Sequence, residues 1–256
     1  MHRVLAALAL SVTPALADGN CVLKRVASLD MSIEAAGLVT VPMTVGGRKA
    51  DMLVDTGGAL TSLDTDIVTA EKMEVDPFGN GRYLEQFGGT TISKYAVAHD
   101  VALGGMKADK FRFAVQPHTV GFDGVLAADV LRSFDVEFDF ANAALNLFSP
   151  DRCAGKIDYW APAAELAEIP IKIDKDGHIQ VTVQVDGKSI DAMLDTGAGR
   201  TVASLEMMRR LFDIDEKSPD LQPDDKEDPP SSYGYPFKAL SFGGVAVSHP
   251  DIVLVP

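Results

Sequence analysis

Residues 39–61 read VTVPMTVGGRKADMLVDTGGALT, and residues 179–201 read IQVTVQVDGKSIDAMLDTGAGRT. The two stretches align without a gap, so that an Asp-Thr-Gly turn in one falls on an Asp-Thr-Gly turn in the other. Such an internal repeat indicates two copies of one structural unit. Related copies can meet across a two-fold axis, which would bring their acidic turns together. The repeat therefore predicts two similar halves, each contributing one carboxylate.

A β-hairpin is predicted before each acidic turn. In the first copy apolar residues alternate with polar or small ones over residues 39–45, and the chain returns through Gly46-Gly47 to Asp55. In the second copy the same alternation leads through Asp186-Gly187 to Asp195. Alternation with a period of two is typical of half-buried strands, and Asp-Gly is a strong hairpin signal. Both carboxylates are therefore expected at strand ends.

The repeat continues beyond the turns, but the two copies end differently. Short helices are predicted over residues 65–73 and 205–212. Only the first copy runs on into Gly124-Val125-Leu126, whose counterpart would fall beyond Pro256. The expected fold is mostly β and bilobal, with a truncated second lobe. Either the sequence is a fragment or the second lobe is naturally incomplete.

Residues 1–17 have the pattern of an export signal. A basic Arg3 precedes an apolar run, and the segment ends in the small-residue site Ala15-Leu16-Ala17. The run is far shorter than the roughly 20 apolar residues that span a bilayer, so a cleaved signal is favoured over an anchor. The mature protein is expected to be exported, periplasmic or secreted, without a membrane segment. Its predicted parts are a first lobe over residues 18–150, a connector over residues 151–170 and a second lobe over residues 171–256.

The two cysteines, Cys21 and Cys153, are interpreted through this exported location. An even cysteine count in an oxidising compartment favours one disulfide bond. Free thiols or a metal site are weaker alternatives, because two cysteines without a clustered histidine make no zinc cage. No metal and no cofactor are therefore predicted.

The charge of the chain excludes one class of partner. The formal net charge is −14 at pH 7. A strongly acidic protein is repelled by a phosphate backbone, so nucleic acid is not expected as a partner.

The paired turns predict acid-base chemistry by an aspartate dyad. Two carboxyls held close together cannot both ionise, so they share one proton. One can take a proton from water while the other donates to a substrate carbonyl oxygen. The threonine hydroxyl can tie each turn to the opposite one, and the glycine lets the backbone turn tightly beside the carboxylate. The residues concerned are Asp55, Thr56 and Gly57 in the first turn and Asp195, Thr196 and Gly197 in the second.

These residues resemble the aspartic peptidases of the pepsin and retropepsin clan. The resemblance rests on the segments 55–58 (DTGG) and 195–198 (DTGA), each after an apolar strand. It also rests on Gly124-Val125-Leu126, which looks like the family's apolar-apolar-glycine element beneath the acidic turn. The resemblance implies a bilobal β fold with a cleft, a catalytic Asp55–Asp195 pair, threonines interlocked between the lobes, and a polypeptide substrate.

The resemblance further implies a flap over the cleft. The segment Tyr83 to Tyr95 is in the right place for such a hairpin. Phe87 is the candidate for its aromatic residue, with Gly88 and Gly89 beside it as substrate-binding positions.

Two alternatives to this monomeric enzyme remain open. Two chains could pair their Asp55 residues in a homodimer, as retropepsins do, with the shorter second half as an accessory. Alternatively, the chain could be a non-catalytic peptide-binding or structural protein that keeps the cleft without a competent dyad.

Overall fold

The computed structural model describes residues 23–34, 37–85, 89–118, 121–150, 159–162, 165–226 and 230–256. The predicted export signal over residues 1–17 and both predicted disulfide partners, Cys21 and Cys153, lie outside these residues. Half of the predicted connector over residues 151–170 lies outside them as well. No helix within the described residues is long and apolar enough to cross a bilayer.

The fold is mostly β, as predicted, and the N-terminal half is built from short strands with short helices between them. Its main sheet has the order β2-β3-β4-β11-β5-β10-β9-β6, and an added pairing of β3 with β9 closes it into a barrel. A smaller sheet has the order β1-β13-β12. The elements are β1 (Arg25–Asp30), β2 (Ser32–Ile33), β3 (Val39–Val45), β4 (Arg48–Asp55), β5 (Ser62–Asp64), α1 (Thr65–Ala70), β6 (Glu74–Pro77), β7 (Leu84–Glu85), β8 (Thr91–Ile92), β9 (Lys94–Leu103), β10 (Met106–Gln116), β11 (Gly124–Ala127), α2 (Ala128–Leu131), β12 (Asp135–Asp139) and β13 (Ala144–Phe148).

The predicted hairpin before the first acidic turn is formed by β3 and β4. These strands pair in antiparallel register from Thr40 opposite Leu53 to Val45 opposite Arg48. The alternating apolar side chains of β3 point into a core that also holds the fully buried Phe113. Burial of each such side chain contributes roughly 1.5 to 3 kcal/mol. The pattern that predicted the hairpin is therefore also what holds Asp55 at the edge of a packed core.

Strand β11 supports the first acidic turn from below. It runs parallel to β4, with Ala127 opposite Asp55, and antiparallel to the start of β5. A Cβ atom on Gly124 would lie 2.3 Å from the carbonyl oxygen of Ser62, so only glycine fits at this position of the strand. The predicted packing of Gly124-Val125-Leu126 beneath the turn is confirmed, since these residues are buried.

The C-terminal half repeats part of this arrangement. One sheet has the path β14-β15-β20-β21 with β16 paired to β15, and a second has the order β17-β22-β19-β18. The elements are β14 (Ile171–Ile173), β15 (Ile179–Val185), β16 (Lys188–Leu194), β17 (Thr201–Ser204), α3 (Leu205–Phe212), β18 (Gln222–Pro223), β19 (Tyr233–Gly234), β20 (Ala239–Phe242), β21 (Val245–Ser248) and β22 (Ile252–Val255). A separate core around Met208, Phe237 and Leu254 holds this half together.

The helix after each acidic turn is present, and the first is shorter than predicted. Helix α1 ends at Ala70 instead of residue 73, because Lys72 takes a left-handed conformation with φ of 52°. Helix α3 covers Leu205–Phe212 as predicted. Asp213, which follows it, is also left-handed. A conformation of this kind stops helical hydrogen bonding locally, and apolar periodicity does not reveal it.

Candidate active site

The two acidic turns face each other, and their carboxyl groups are in contact. Asp55 ends β4, and Asp195 directly follows β16. A Cβ atom on Gly57 would lie 2.4 Å from Cγ of Asp195, and one on Gly197 would lie 2.4 Å from Cγ of Asp55. The side chains of Asp55 and Asp195 hydrogen-bond to each other. Folding therefore brings together two carboxylates that lie far apart in sequence.

Thr56 and Thr196 interlock the two turns through a reciprocal set of hydrogen bonds. The Thr56 hydroxyl donates to the carbonyl oxygen of Leu194 at 2.6 Å and accepts from the Thr196 N–H at 3.1 Å. The Thr196 hydroxyl donates to the carbonyl oxygen of Val54 at 2.7 Å and accepts from the Thr56 N–H at 3.1 Å. Each hydroxyl thus satisfies one donor and one acceptor of the opposite turn, which fixes the separation of the carboxyls.

Backbone N–H groups orient the carboxylates, and they do so unequally. Asp55 Oδ1 accepts from Gly57 at 2.8 Å and from Gly58 at 2.7 Å. Asp195 Oδ1 accepts from Gly197 at 2.8 Å. Such bonds stabilise the ionised form and hold the side chain in one rotamer. Asp55 is therefore fixed by one more donor than Asp195 among the hydrogen bonds of the described residues.

The surroundings of Asp55 favour its protonated form. Burial has the largest effect, followed by the negative charge and the hydrogen bond of Asp195, and together they raise the pKa of Asp55 from 3.8 to about 6. The N–H groups of Gly58 and Gly57 act in the opposite direction. The net result is a carboxyl that keeps its proton in mildly acidic solution beside a second carboxyl. This is the condition for a shared-proton dyad.

A further residue under the first turn, Asp129, was not singled out from the sequence. Its Oδ1 accepts from the N–H of Thr61 at 2.9 Å and from the Thr61 hydroxyl at 2.6 Å. The same hydroxyl accepts from the N–H of Ala127 at 3.0 Å, and the N–H of Ala128 donates to the carbonyl oxygen of Gly58 at 3.0 Å. These bonds tie the turn to β11. The alignment of Thr61 with Thr201 was a signal for Thr61, whereas Asp129 has no repeated partner in the sequence.

The segment predicted to form the flap contains a two-stranded hairpin in its described residues. Strands β7 and β8 pair with Leu84 opposite Ile92 and Glu85 opposite Thr91. Gly89 is described and takes a positive φ of 82°, which suits a turn. Phe87 and Gly88 lie outside the described residues, so their contact with substrate stays a prediction.

A surface depression lies at the base of this hairpin, away from the dyad. It has a volume of about 620 Å³, and its lining includes Phe78, Tyr83 and Lys94 but neither Asp55 nor Asp195. The depression is open to solvent, and no pair of carboxyl groups in contact lines it. We therefore place the candidate active site at the two acidic turns.

Two clusters within the described residues bring potential metal ligands together, Asp64/Asp66/His118 and Asp174/Asp176/His178. Both have local structural roles. Asp64 caps α1 by accepting from the N–H of Asp66, and Asp174 accepts from the N–H groups of Asp176 and His178 in a turn. Neither cluster includes a residue of the two acidic turns.

The chain is similar to known proteins in one family and among solved structures. Residues 41–130 match a protein family described as "Aspartyl protease". Among solved structures, the chain is similar to a retropepsin-like aspartic protease from Rickettsia conorii, at 14% identity and a TM-score of 0.36, over 50% of this chain and 95% of that chain. No curated protein matches the sequence. The similarity to the aspartyl protease family therefore covers the part of the chain that contains the first acidic turn and β11.

Proposed function

We propose that the protein is an aspartic-type endopeptidase that hydrolyses peptide bonds with a water molecule activated by Asp55 and Asp195. One observation carries the proposal, namely the hydrogen-bonding contact between the two carboxyls across interlocked turns. Two carboxyls in contact retain a proton between them, so one serves as an acid while the other serves as a base.

The proposed reaction assigns a role to each carboxyl. Asp195, as the base of the pair, takes a proton from the bound water, whose oxygen attacks the carbonyl carbon. Asp55, protonated because of its raised pKa, gives its proton to the carbonyl oxygen. The tetrahedral adduct then collapses, the C–N bond breaks, and the proton held by Asp195 passes to the amine. Asp55 recovers its proton from the adduct hydroxyl, so the dyad returns to its starting state.

The proposed substrate is a polypeptide bound in extended form. An extended peptide can add its main chain to nearby β-structure, and alternate side chains then enter separate pockets. The β7–β8 hairpin supports a flap role in which Phe87, Gly88 and Gly89 contact the substrate. The pattern of residues 1–17 supports action outside the cytoplasm.

The contact between Asp55 and Asp195 of one chain supports an intrachain dyad over a dimer that pairs two Asp55 residues. In such a dimer the Asp195 turn would have to leave its place, although Thr56 and Thr196 hold it there. Sedimentation of the active protein tests this point. Activity confined to a dimeric species would support the dimer, and activity in a monomer would support the intrachain dyad.

Replacement of either carboxyl tests the proposed reaction. We expect Asp55→Asn and Asp195→Asn each to reduce peptide cleavage to background while the circular dichroism spectrum stays unchanged. Asp191→Asn is the matched control, since Asp191 is an exposed carboxylate just before the second turn, bonded to Thr182. Undiminished cleavage by purified Asp55→Asn would contradict the proposal.

Exposed apolar side chains in the C-terminal half, such as those of Ile171 and Ile173, favour the alternative of a peptide-binding protein without catalysis. A peptide with a hydroxyl group in place of the scissile carbonyl separates the two functions, because it mimics the transition state of a competent dyad. Tight binding that is lost in both Asn variants supports the enzyme. Equal binding of this mimic and an ordinary peptide supports the alternative.

A further inference from the structure

The depression at the base of the β7–β8 hairpin has the size of a ligand site. Its lining consists of residues 77–83 together with Thr91, Ser93 and Lys94, and we call it the flap-base depression. Its volume of about 620 Å³ lies within the range of about 300 to 1,000 Å³ that is typical of ligand pockets. It can therefore hold a few side chains of a peptide.

Backbone hydrogen bonds hold the walls of the flap-base depression. Phe78 donates its N–H to the carbonyl oxygen of Ser93 at 2.8 Å, and Arg82 donates its N–H to that of Gly79 at 3.1 Å. Asn80, inside this turn, has a positive φ of 52°, which is typical of a tight turn. Because the walls are preformed, a ligand has little backbone to order when it binds, which lowers the entropic cost of binding.

Aromatic side chains give the flap-base depression an apolar surface. The Phe78 ring packs against the ring of Tyr95 with centroids 4.2 Å apart, and the Arg112 guanidinium lies over the Tyr95 ring at 4.4 Å. These contacts hold Phe78 within the protein. Tyr83 is 64% exposed, so its ring gains apolar contact when a ligand covers it. An apolar or aromatic side chain of a ligand suits this position.

The charged residues that line the flap-base depression are both cationic. Arg82 and Lys94 are exposed, and neither side chain forms an ion pair with any residue that the structure describes. Other exposed cations of this acidic chain do so, since Arg200 lies 2.5 Å from Asp224. The formal net charge of −14 makes an unpaired pair of cations unusual here. Such a pair is complementary to a ligand that carries carboxylates.

We propose that the flap-base depression binds an acidic segment of a polypeptide substrate, with carboxylates at Arg82 and Lys94 and an apolar side chain against Tyr83. A polypeptide suits the site because a chain that passes beneath the β7–β8 hairpin continues beyond it, at about 3.3 Å per residue in extended form. The binding itself is independent of catalysis, whereas its effect on substrate choice rests on the proposed function.

The acidic tract of this chain, residues 213–228, is a poorer occupant. Within it, the Asp224 carboxylate accepts from Arg200 at 2.5 Å, and the Asp225 carboxylate accepts from the Ser231 hydroxyl at 2.7 Å. These bonds hold the tract to other residues of the C-terminal half. The flap-base depression therefore stays open to a separate acidic segment.

The binding test compares two fluorescently labelled peptides, Ala-Glu-Glu-Phe-Ala and Ala-Gln-Gln-Phe-Ala, which differ only in their carboxylates. Each is added to the full chain carrying Asp55→Asn, so that the proposed cleavage does not consume it. We expect saturable binding of the Glu peptide by fluorescence anisotropy and about tenfold weaker binding of the Gln peptide. Equal affinity of the two peptides would overturn the proposal, as would a Glu peptide that does not saturate.

Variants of the lining locate the binding. Arg82→Gln and Lys94→Gln each remove one cation, and Lys107→Gln is the matched control, since Lys107 is an exposed lysine on β10 outside the depression. We expect each lining variant to weaken binding of the Glu peptide about threefold and the double variant about tenfold, because single exposed ion pairs are weak. Binding of the Gln peptide should not change. An equal loss in Lys107→Gln would mean that overall charge attracts the peptide, which would contradict the site.

Turnover separates this inference from the proposed function. In a set of substrates, Glu-Glu-Phe or Gln-Gln-Phe is placed at different distances from the scissile bond. We expect the Glu substrates to show the lower KM at one distance with an unchanged kcat, because the contact is made equally in the ground state and the transition state. The double variant should lose this preference. Peptide binding without any cleavage would leave the flap-base depression standing and remove the proposed peptidase, and cleavage without peptide binding would do the reverse.

Discussion

The two acidic turns have nearly the same sequence but differ in the strands that pack beneath them. Beneath Asp55, β11 fills the space between neighbouring strands, and Val54 is fully buried. Beside Asp195, the matching residue Leu194 is 50% exposed. The interlock of Thr56 and Thr196 is nevertheless almost symmetrical. The repeated segment itself therefore sets the turn and its interlock, whereas packing beneath the turn depends on a strand that is distant in sequence.

The dyad glycines should give the largest effect, because the two halves are equivalent at this point. Gly57→Ala and Gly197→Ala each place a Cβ atom 2.4 Å from the opposite carboxyl carbon, so the turns must move apart. We expect the rate of cleavage to fall at least about 100-fold for each variant, since displacing a catalytic group by about 1 Å reduces the rate by that factor. Activity assays with folded protein measure this. A large loss in only one variant would show that the contact is not symmetrical.

The next effect should appear in one half alone. Gly124→Ala sets a Cβ atom 2.3 Å from the carbonyl oxygen of Ser62 and 2.8 Å from the end of Met52. We expect the free energy of unfolding to fall by about 3 kcal/mol. Chemical denaturation measures the change. Gly187→Ala is not a suitable control, since its φ is positive, whereas Gly105→Ala meets no atom within 4 Å and should be nearly neutral.

The threonine interlock should give an intermediate effect that tests its reciprocity. Thr56→Val and Thr196→Val each remove a hydroxyl that serves the opposite turn as donor and acceptor. We expect about 2 kcal/mol of lost stability for each, with a double variant that loses less than the sum. Thermal or chemical unfolding provides the comparison. Strict additivity would mean that the two hydroxyls do not act as one network.

How far the sequence predicts this site depends on the distance over which each feature acts. The hairpins and the acidic turns follow from local alternation and from Asp186-Gly187, so their positions could be predicted. The contact of Asp55 with Asp195 was predicted from the repeat, because two copies related by a pseudo-two-fold axis place equivalent residues opposite each other.

Other features could not be predicted because they depend on tertiary packing. The hydrogen bonds of Asp129 to Thr61 join residues that only the insertion of β11 brings together. The additional N–H donor of Gly58 to Asp55 depends on the exact path of the backbone after the turn. Neither set of hydrogen bonds leaves a periodic signal in the sequence, so neither can be predicted from propensity or residue spacing.

The smallest expected effect is the dependence of stability on the proton of Asp55. Its pKa is raised from 3.8 to about 6, mainly by burial and then by Asp195, so the folded state binds a proton that the unfolded state releases. Stability should therefore fall as pH rises from about 4 to about 6 and remain lower above that. Asp55→Asn removes the titrating group, so we expect its stability relative to the wild type to increase as pH rises between these limits.

Denaturation of the wild type and Asp55→Asn at pH 4 and pH 7 measures this difference. Asp191→Asn is the control, because Asp191 is an exposed aspartate on β16 outside the two acidic turns. The same proton should set the alkaline limit of cleavage, with activity falling as pH rises through about 6, since a fully ionised dyad has no acid to offer the carbonyl oxygen. A pH-independent difference between wild type and Asp55→Asn would mean that Asp55 is ionised throughout, and that the contact with Asp195 does not hold a proton.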